Sequence, residues 1–161
     1  MFKNNSKPTV VLFMVTAIVH ALAVSPAQAV TGSIPFDGNI ADTCVINALT
    51  AGELQVDATL QNLNSLAAPG TAEVTTNGAG FSLSLDTPTL TRPAADTTPL
   101  ASIGGAYHAT GATTVNRFDT DPPYPLNEGT TALNVYFFSG KNGTNMFAPG
   151  AYSSTMILRC E

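Results

Sequence analysis

The clearest fold signal in the chain is Gly80-Phe81-Ser82-Leu83-Ser84-Leu85-Asp86, in which apolar and small polar residues alternate. Successive side chains of a β-strand point to opposite faces, so the three large apolar residues of this stretch share one face. The pattern therefore predicts a half-buried strand. The same alternation recurs over residues 130–139 and 152–160, and the second of these stretches places Met156, Leu158 and Cys160 on the predicted core face.

Weaker strand signals fill much of the remaining chain. We predict further strands over residues 32–36, 40–47, 53–57, 71–76 and 113–118, with turn signals such as Asn77-Gly78 and Pro149-Gly150 between them. A single helical turn is expected within residues 58–68, and residues 87–102 are expected to form an irregular connection between sheets. Short strands at this spacing predict an all-β fold, namely an antiparallel β-sandwich in one domain.

The first 29 residues are typical of a secretory signal peptide. Lys3 and Lys7 precede an apolar run over residues 10–24, and residues 25–29 end in an Ala-x-Ala cleavage pattern. The run is shorter than the roughly 20 residues that a helix needs to span a bilayer, so a membrane anchor is the weaker interpretation. We therefore predict a cleaved signal peptide over residues 1–29 and one exported domain over residues 30–161, located in the periplasm, at the cell surface or outside the cell.

The charge balance disfavours two classes of partner. The chain has 6 Lys and Arg residues against 11 Asp and Glu residues, which gives a formal net charge of −5. Nucleic acids and anionic membranes bind basic surfaces. Neither is therefore expected as a partner.

The only two cysteines, Cys44 and Cys160, lie near the two ends of the predicted domain. In an oxidising compartment an even number of cysteines most simply forms disulfides, so we predict that these two are bridged. Two free thiols are the alternative, and a zinc site is disfavoured because the sequence has no CxxC spacing and no histidine beside either cysteine. A bridge over so long a loop would contribute roughly 4–5 kcal/mol by restricting the unfolded chain.

The sequence contains no recognisable catalytic or cofactor-binding motif. His108 is the one histidine of the predicted mature domain, and no nucleophile or acid accompanies it at an informative spacing. Asp119 and Asp121 lie in a proline-rich segment that is either a solvated acidic loop or a calcium site, and the acidic loop is the preferred interpretation. We therefore expect no enzyme activity, no cofactor and no bound metal.

Three aromatic residues are candidates for contacts with a ligand. Tyr107, Tyr124 and Phe147 lie in or beside predicted loops, and loops on a rigid sandwich commonly carry binding residues. They would suit a carbohydrate or a surface protein. Residues 142–144 match the glycosylation acceptor pattern, but together with Lys141 they equally fit a hairpin turn, which is the preferred interpretation.

Both ends of the predicted domain resemble a known family. Residues 32–46 read GSIPFDGNIADTCVI and resemble the opening of bacterial fimbrial subunits of the chaperone–usher type. Residues 149–158 read PGAYSSTMIL and look like the start of the last strand in those subunits. The stretch over residues 71–85 is also similar to secreted domains of the spore-coat-U type.

This resemblance implies an immunoglobulin-like, pilin-like sandwich that lacks one strand. In such subunits a periplasmic chaperone donates the missing strand first, and a neighbouring subunit donates it afterwards. Five residues from the two end strands would line the open groove: Ile34, Phe36, Ile40, Met156 and Leu158.

The preferred function is therefore a structural or adhesive subunit of a fimbrium, or pilus, that is assembled through strand complementation. The alternative is a stand-alone secreted binding module with a complete sandwich, which would bind a carbohydrate or a surface protein through its loops.

Overall fold

The computed structural model describes residues 32–161, so the predicted signal peptide over residues 1–29 lies outside the described residues. The chain divides into two compact units between Gly38 and Asn39. Residues 32–38 of the first unit form no strand. The second unit, Asn39–Glu161, contains all the strands found within residues 32–161.

Residues 32–161 form twelve β-strands and no helix. The strands are β1 (Cys44–Thr50), β2 (Gln55–Val56), β3 (Asn62–Asn64), β4 (Gly70–Thr76), β5 (Ser82–Leu85), β6 (Thr89–Thr91), β7 (Leu100–Gly111), β8 (Val115–Phe118), β9 (Tyr124–Pro125), β10 (Gly129–Lys141), β11 (Ser153–Thr155) and β12 (Leu158–Cys160). Their pairings are antiparallel throughout.

The long strand β10 is the centre of the larger sheet. One of its edges pairs with β7, in a register that runs from Thr131 opposite Gly111 to Lys141 opposite Leu100. The other edge pairs with β4 along its first half and with β3 along its second half. Beyond these neighbours, β1 pairs with β4, β2 with β3, and β8 with β7.

A second, smaller layer contains the remaining strands. Strand β5 pairs with β12 and β9, and β6 pairs with β11. Strand β6 follows β5 in the chain, and β12 follows β11. The segment that contains β5 and β6 therefore runs antiparallel beside the segment that contains β11 and β12. The amide of Asp86 donates to the carbonyl of Ile157 between the two ladders and links them.

Apolar side chains fill the space between the layers. In β10 the alternation places Leu133, Val135 and Phe137 on the inner face, where all three are buried. The larger cluster contains residues of β4, β5, β7 and β10, and the smaller one contains Leu63, Phe137 and Phe147. Two antiparallel layers around an apolar core are consistent with a β-sandwich, so the predicted all-β class is confirmed.

Three local predictions were wrong. No helical turn forms within residues 58–68, because the Asp57 carboxylate accepts hydrogen bonds from the amides of Gln61 and Asn62 and closes a turn that leads into β3. The hydrogen bonds from Asn62, from its side chain first, lower the pKa of Asp57 to about 2. Residues 32–36 form no strand.

The third wrong prediction concerns residues 87–102, which were expected to be irregular. They include β6 and the beginning of β7. Strand β7 is rich in glycine and alanine, which are poor strand formers, and so its pattern gives no strand signal. Gly104 is needed there, because an added Cβ would lie 2.5 Å from Cε2 of Phe138 on the adjacent strand.

Candidate functional site

Strand β1 and the β11–β12 segment are edge strands of the two layers. Within residues 32–161, β1 pairs only with β4, β11 only with β6, and β12 only with β5. The predicted disulfide between Cys44 and Cys160 is present, with the Cα atoms 6.3 Å apart. It joins the first residue of β1 to the last residue of β12, so the two edges are held together at one end.

A groove lies between β1 and the β11–β12 segment. It consists of three adjoining depressions of about 220, 490 and 360 Å³. The first two share Val135 and Met156 among their lining residues, and the last two share Leu54 and Tyr152. The groove therefore follows the β11–β12 edge over most of its length.

The floor of the groove is apolar, and its walls contain both small and large side chains. Val135 and Phe137 of β10 form the floor, and residues 49–54 form one wall. The opposite wall is formed by residues 152–158. Unpaired backbone groups above an apolar floor are what an added β-strand requires, since the backbone supplies hydrogen bonds and alternate side chains supply burial.

One wall follows a β-bulge in β1, after which pairing with β4 resumes at Thr50 opposite Thr71. The register between β1 and β4 shifts between Asn47 and Thr50, and Ala48 has a φ of 51°. A bulge adds a residue to one strand and turns that strand aside. The wall over residues 49–54 therefore begins with the last two residues of β1, directly after the bulge.

A buried ion pair supports the opposite wall. Nζ of Lys141 lies 2.6 Å from Oδ1 of Asp96, and both side chains are almost completely buried. The hydroxyl of Tyr152 lies 3.0 Å from Oδ2 of the same aspartate, and the ring of Phe147 lies 4.9 Å from the Lys141 Nζ. These contacts fix Tyr152 where the second and third depressions meet.

The charge on Asp96 is maintained by this network. Burial raises the pKa of the carboxyl, but hydrogen bonds from Lys141 and Tyr152 outweigh burial and hold the pKa below its ordinary value. Burial, and then the hydrogen bond with Asp96, raise the pKa of Tyr152. The two directions favour an ionised Asp96 carboxylate and a neutral Tyr152 phenol hydrogen-bonded to it.

The five predicted groove residues fall into two sets. Met156 and Leu158 line the groove and pack on the larger core cluster. Ile34, Phe36 and Ile40 are exposed, with exposed fractions of 77%, 93% and 86%. Their placement in an end strand of the sandwich is corrected, because residues 32–43 form no strand and bury no side chain.

The three predicted ligand-contact aromatics are not grouped on one surface. Tyr107 lies in β7, is buried, and donates a hydrogen bond to the carbonyl of Leu83. Phe147 is buried in the smaller core cluster, and half-buried Tyr124 lies in β9 under the guanidinium of Arg117. The loop placement of Tyr107 is therefore wrong, and neither Tyr107 nor Phe147 is an exposed contact, since both belong to the core.

The other polar candidates have structural contacts. Oδ2 of Asp121 accepts a hydrogen bond from the amide of Phe118 and lies 3.6 Å from Nε of Arg117. Within residues 32–161, no three His, Cys, Asp or Glu side chains are grouped closely enough to hold a metal ion. His108 lies in β7, half-buried, opposite Asn134 and Asn116 on the neighbouring strands.

Sequence reasoning missed the residues that form the groove floor. The alternation over residues 130–139 places Val135 and Phe137 on one face of a strand, but it does not show which part of that face the second layer leaves open. The wall over residues 49–54 was predicted only in part, because the predicted strands cover residues 40–47 and 53–57 and leave out residues 49–52.

No family model, curated protein or solved structure matches the chain. No helix within the described residues is long and apolar enough to cross a membrane. The resemblance to fimbrial subunits therefore remains a prediction from the sequence.

Proposed function

We propose that this chain is an exported structural subunit that assembles by β-strand complementation. Residues 34–40 of one copy would enter the groove of the next copy and pair with the β11–β12 edge. The observation that carries this proposal is the apolar groove beside an unpaired strand edge.

The segment over residues 34–40 has the pattern that this groove requires. Ile34, Phe36, Gly38 and Ile40 are spaced two residues apart, so in an extended strand they would lie on one face. That face would meet the floor formed by Val135 and Phe137. Burial of such exposed side chains provides roughly 25 cal/mol per Å² of apolar surface, which favours association over a free segment.

The finer form of the proposal is a subunit of a fimbrium of the chaperone–usher type with an immunoglobulin-like sandwich. The sequence resemblance supports it, and the disulfide is compatible with export to an oxidising compartment. A periplasmic chaperone would then cover the groove until another subunit replaced it. An adhesive role would be additional to this structural one.

Light scattering after size exclusion tests the assembly of oxidised residues 30–161. We expect multimers that a synthetic peptide of residues 32–42 converts to monomers by occupying the groove. The double variant Phe36→Asp/Ile40→Asp should remain monomeric. The matched control, Ser33→Asp/Asn39→Asp, adds the same charge to the same segment on the opposite face of the strand and should still assemble.

Two results would contradict the proposal. One is a cooperative monomer whose unfolding midpoint does not change with added peptide, since a ligand that binds only the folded state must raise stability. The other is equal assembly by both double variants. Either result would favour a stand-alone binding module with a complete sandwich.

A further inference from the structure

The outer face of the larger sheet carries two transverse rows of residues with different chemistry. One row contains Tyr136 of β10, Ala106 of β7 and Phe118 of β8, which lie opposite one another in the pairing registers. These side chains point away from the core, because their neighbours Val135 and Tyr107 are buried in it. Because Ala106 is small and lies between Tyr136 and Phe118, a trough forms between the two aromatic side chains.

This trough is a cavity of about 280 Å³ outside the core. Its lining includes Tyr136, Ala106 and Phe118, and the side chain of Phe118 is 56% exposed. Phe118 is held by an edge-to-face contact with Phe138, with ring centroids 6.3 Å apart. The aromatic walls are therefore supported from one side and open to solvent on the other.

The second row is polar. It contains Asn134, His108 and Asn116, two residues further along the same three strands. Rows two residues apart are separated by roughly 7 Å along a strand. His108 and Asn116 also line the cavity, so donors and acceptors lie at one end of an apolar trough.

We propose that this trough binds one neutral pyranose ring of a glycan. The carbon–hydrogen face of such a ring is apolar and slightly positive, which suits the negative faces of Tyr136 and Phe118. Its hydroxyl groups would exchange hydrogen bonds with His108 and Asn116. The size of the cavity is close to the lower limit of small-molecule sites, which fits a single ring.

Charge selects a neutral sugar over an acidic one. The guanidinium of Arg117, whose residue also borders the cavity, donates to the carbonyl of Pro122 and lies over the ring of Tyr124. The polar contacts of the Arg117 guanidinium are therefore made outside the trough. The chain as a whole is acidic, with a net charge of −5, which disfavours an anionic ligand.

Saturation-transfer difference NMR of the oxidised protein tests this proposal with the methyl glycosides of glucose, galactose, mannose and N-acetylglucosamine, and with glucuronic acid as the anionic probe. We expect a signal from at least one neutral sugar and none from glucuronic acid. Phe118→Ala and Ala106→Leu should each weaken the neutral-sugar affinity about tenfold or more, the first by removing a wall and the second by filling the trough. Met146→Ala removes an exposed apolar side chain outside the trough and should leave the affinity unchanged.

The remaining outcomes overturn the proposal. These are the absence of a signal from every neutral sugar, equal signals from glucuronic acid, and affinities that Phe118→Ala and Ala106→Leu do not alter. Self-association that Phe118→Ala abolishes, without any sugar signal, would assign the face to a protein contact instead. Unfolding midpoints of the variants, compared with that of the parent protein, establish that each one is folded.

Discussion

Strand β10 and residues 34–40 have the same alternation of apolar residues but opposite environments. In β10 the inner residues Leu133, Val135 and Phe137 are buried, and both edges of the strand are paired. In the segment over residues 34–40 the apolar side chains are almost completely exposed, and no strand forms. Alternation therefore identifies a segment that suits a β-sheet. Whether that segment pairs depends on whether a free strand edge is available to it.

The largest expected effect comes from the bond that joins the two edges of the groove. The Cys44–Cys160 bridge joins residues that are 116 positions apart in the sequence. Its loss should lower the free energy of unfolding by about 4–5 kcal/mol. Urea unfolding of the oxidised protein and of Cys44→Ala/Cys160→Ala measures this difference. An unchanged midpoint would mean that paired strands such as β10 suffice and that the edges need no covalent link.

Removing one phenylalanine from each region tests the comparison directly. Phe137→Ala should cost about 3–5 kcal/mol of unfolding free energy, because it leaves a cavity between the layers. Phe36→Ala should change the same quantity by less than about 0.5 kcal/mol in the monomer, since the ring is exposed. Urea unfolding under dilute conditions compares them, and a large cost for Phe36→Ala would show that this ring packs in the isolated subunit.

Acid should destabilise the fold through aspartates with lowered pKa values. The pKa of Asp96 is lowered beside Lys141, and that of Asp86 by its hydrogen bond and ion pair with Arg159. Unfolding returns each pKa to about 3.9, so this stability is present above that value and is lost as pH falls through the lower, folded values. The urea midpoint should therefore decrease below about pH 4.

The variant Arg159→Gln provides the control for this pH dependence. It removes the partner of Asp86, so the pKa of that carboxyl should return toward its ordinary value and the acid dependence should become shallower. The pair is partly exposed, so its effect on stability at neutral pH should be small. An identical pH profile for the variant and the parent would exclude Asp86 from the acid response.

The smallest expected effect concerns the bulge that shapes one groove wall. Ala48 has a φ of 51°, a conformation that costs alanine more than glycine, so Ala48→Gly should stabilise the fold by about 0.5–1 kcal/mol. Ala51→Gly is the matched control on the same wall, without positive φ, and should be neutral or slightly destabilising. Thermal or urea unfolding distinguishes them, and equal effects of the two substitutions would mean that the bulge holds no relievable strain.

The sequence was most informative where one strand carries its own pattern. The alternation over residues 80–86, 130–139 and 152–160 identified β5, β10 and the β11–β12 segment, because burial on one face requires a period of two. It was uninformative for β7, whose glycines and alanines are determined by neighbours such as Phe138 rather than by strand propensity. It also treated Tyr107 and Phe147 as ligand contacts, although both are buried, because no local pattern shows which residues join a core formed by distant strands.

Local chemistry was thus enough to predict the all-β class and the bridge between Cys44 and Cys160, since alternation and cysteine number are properties of the chain itself. Which edges remain unpaired, and where the groove and the outer trough lie, became visible only in the folded molecule. The physical reason is that strand pairing joins residues far apart in sequence. Whether a strand edge is free therefore depends on how all the other strands pair.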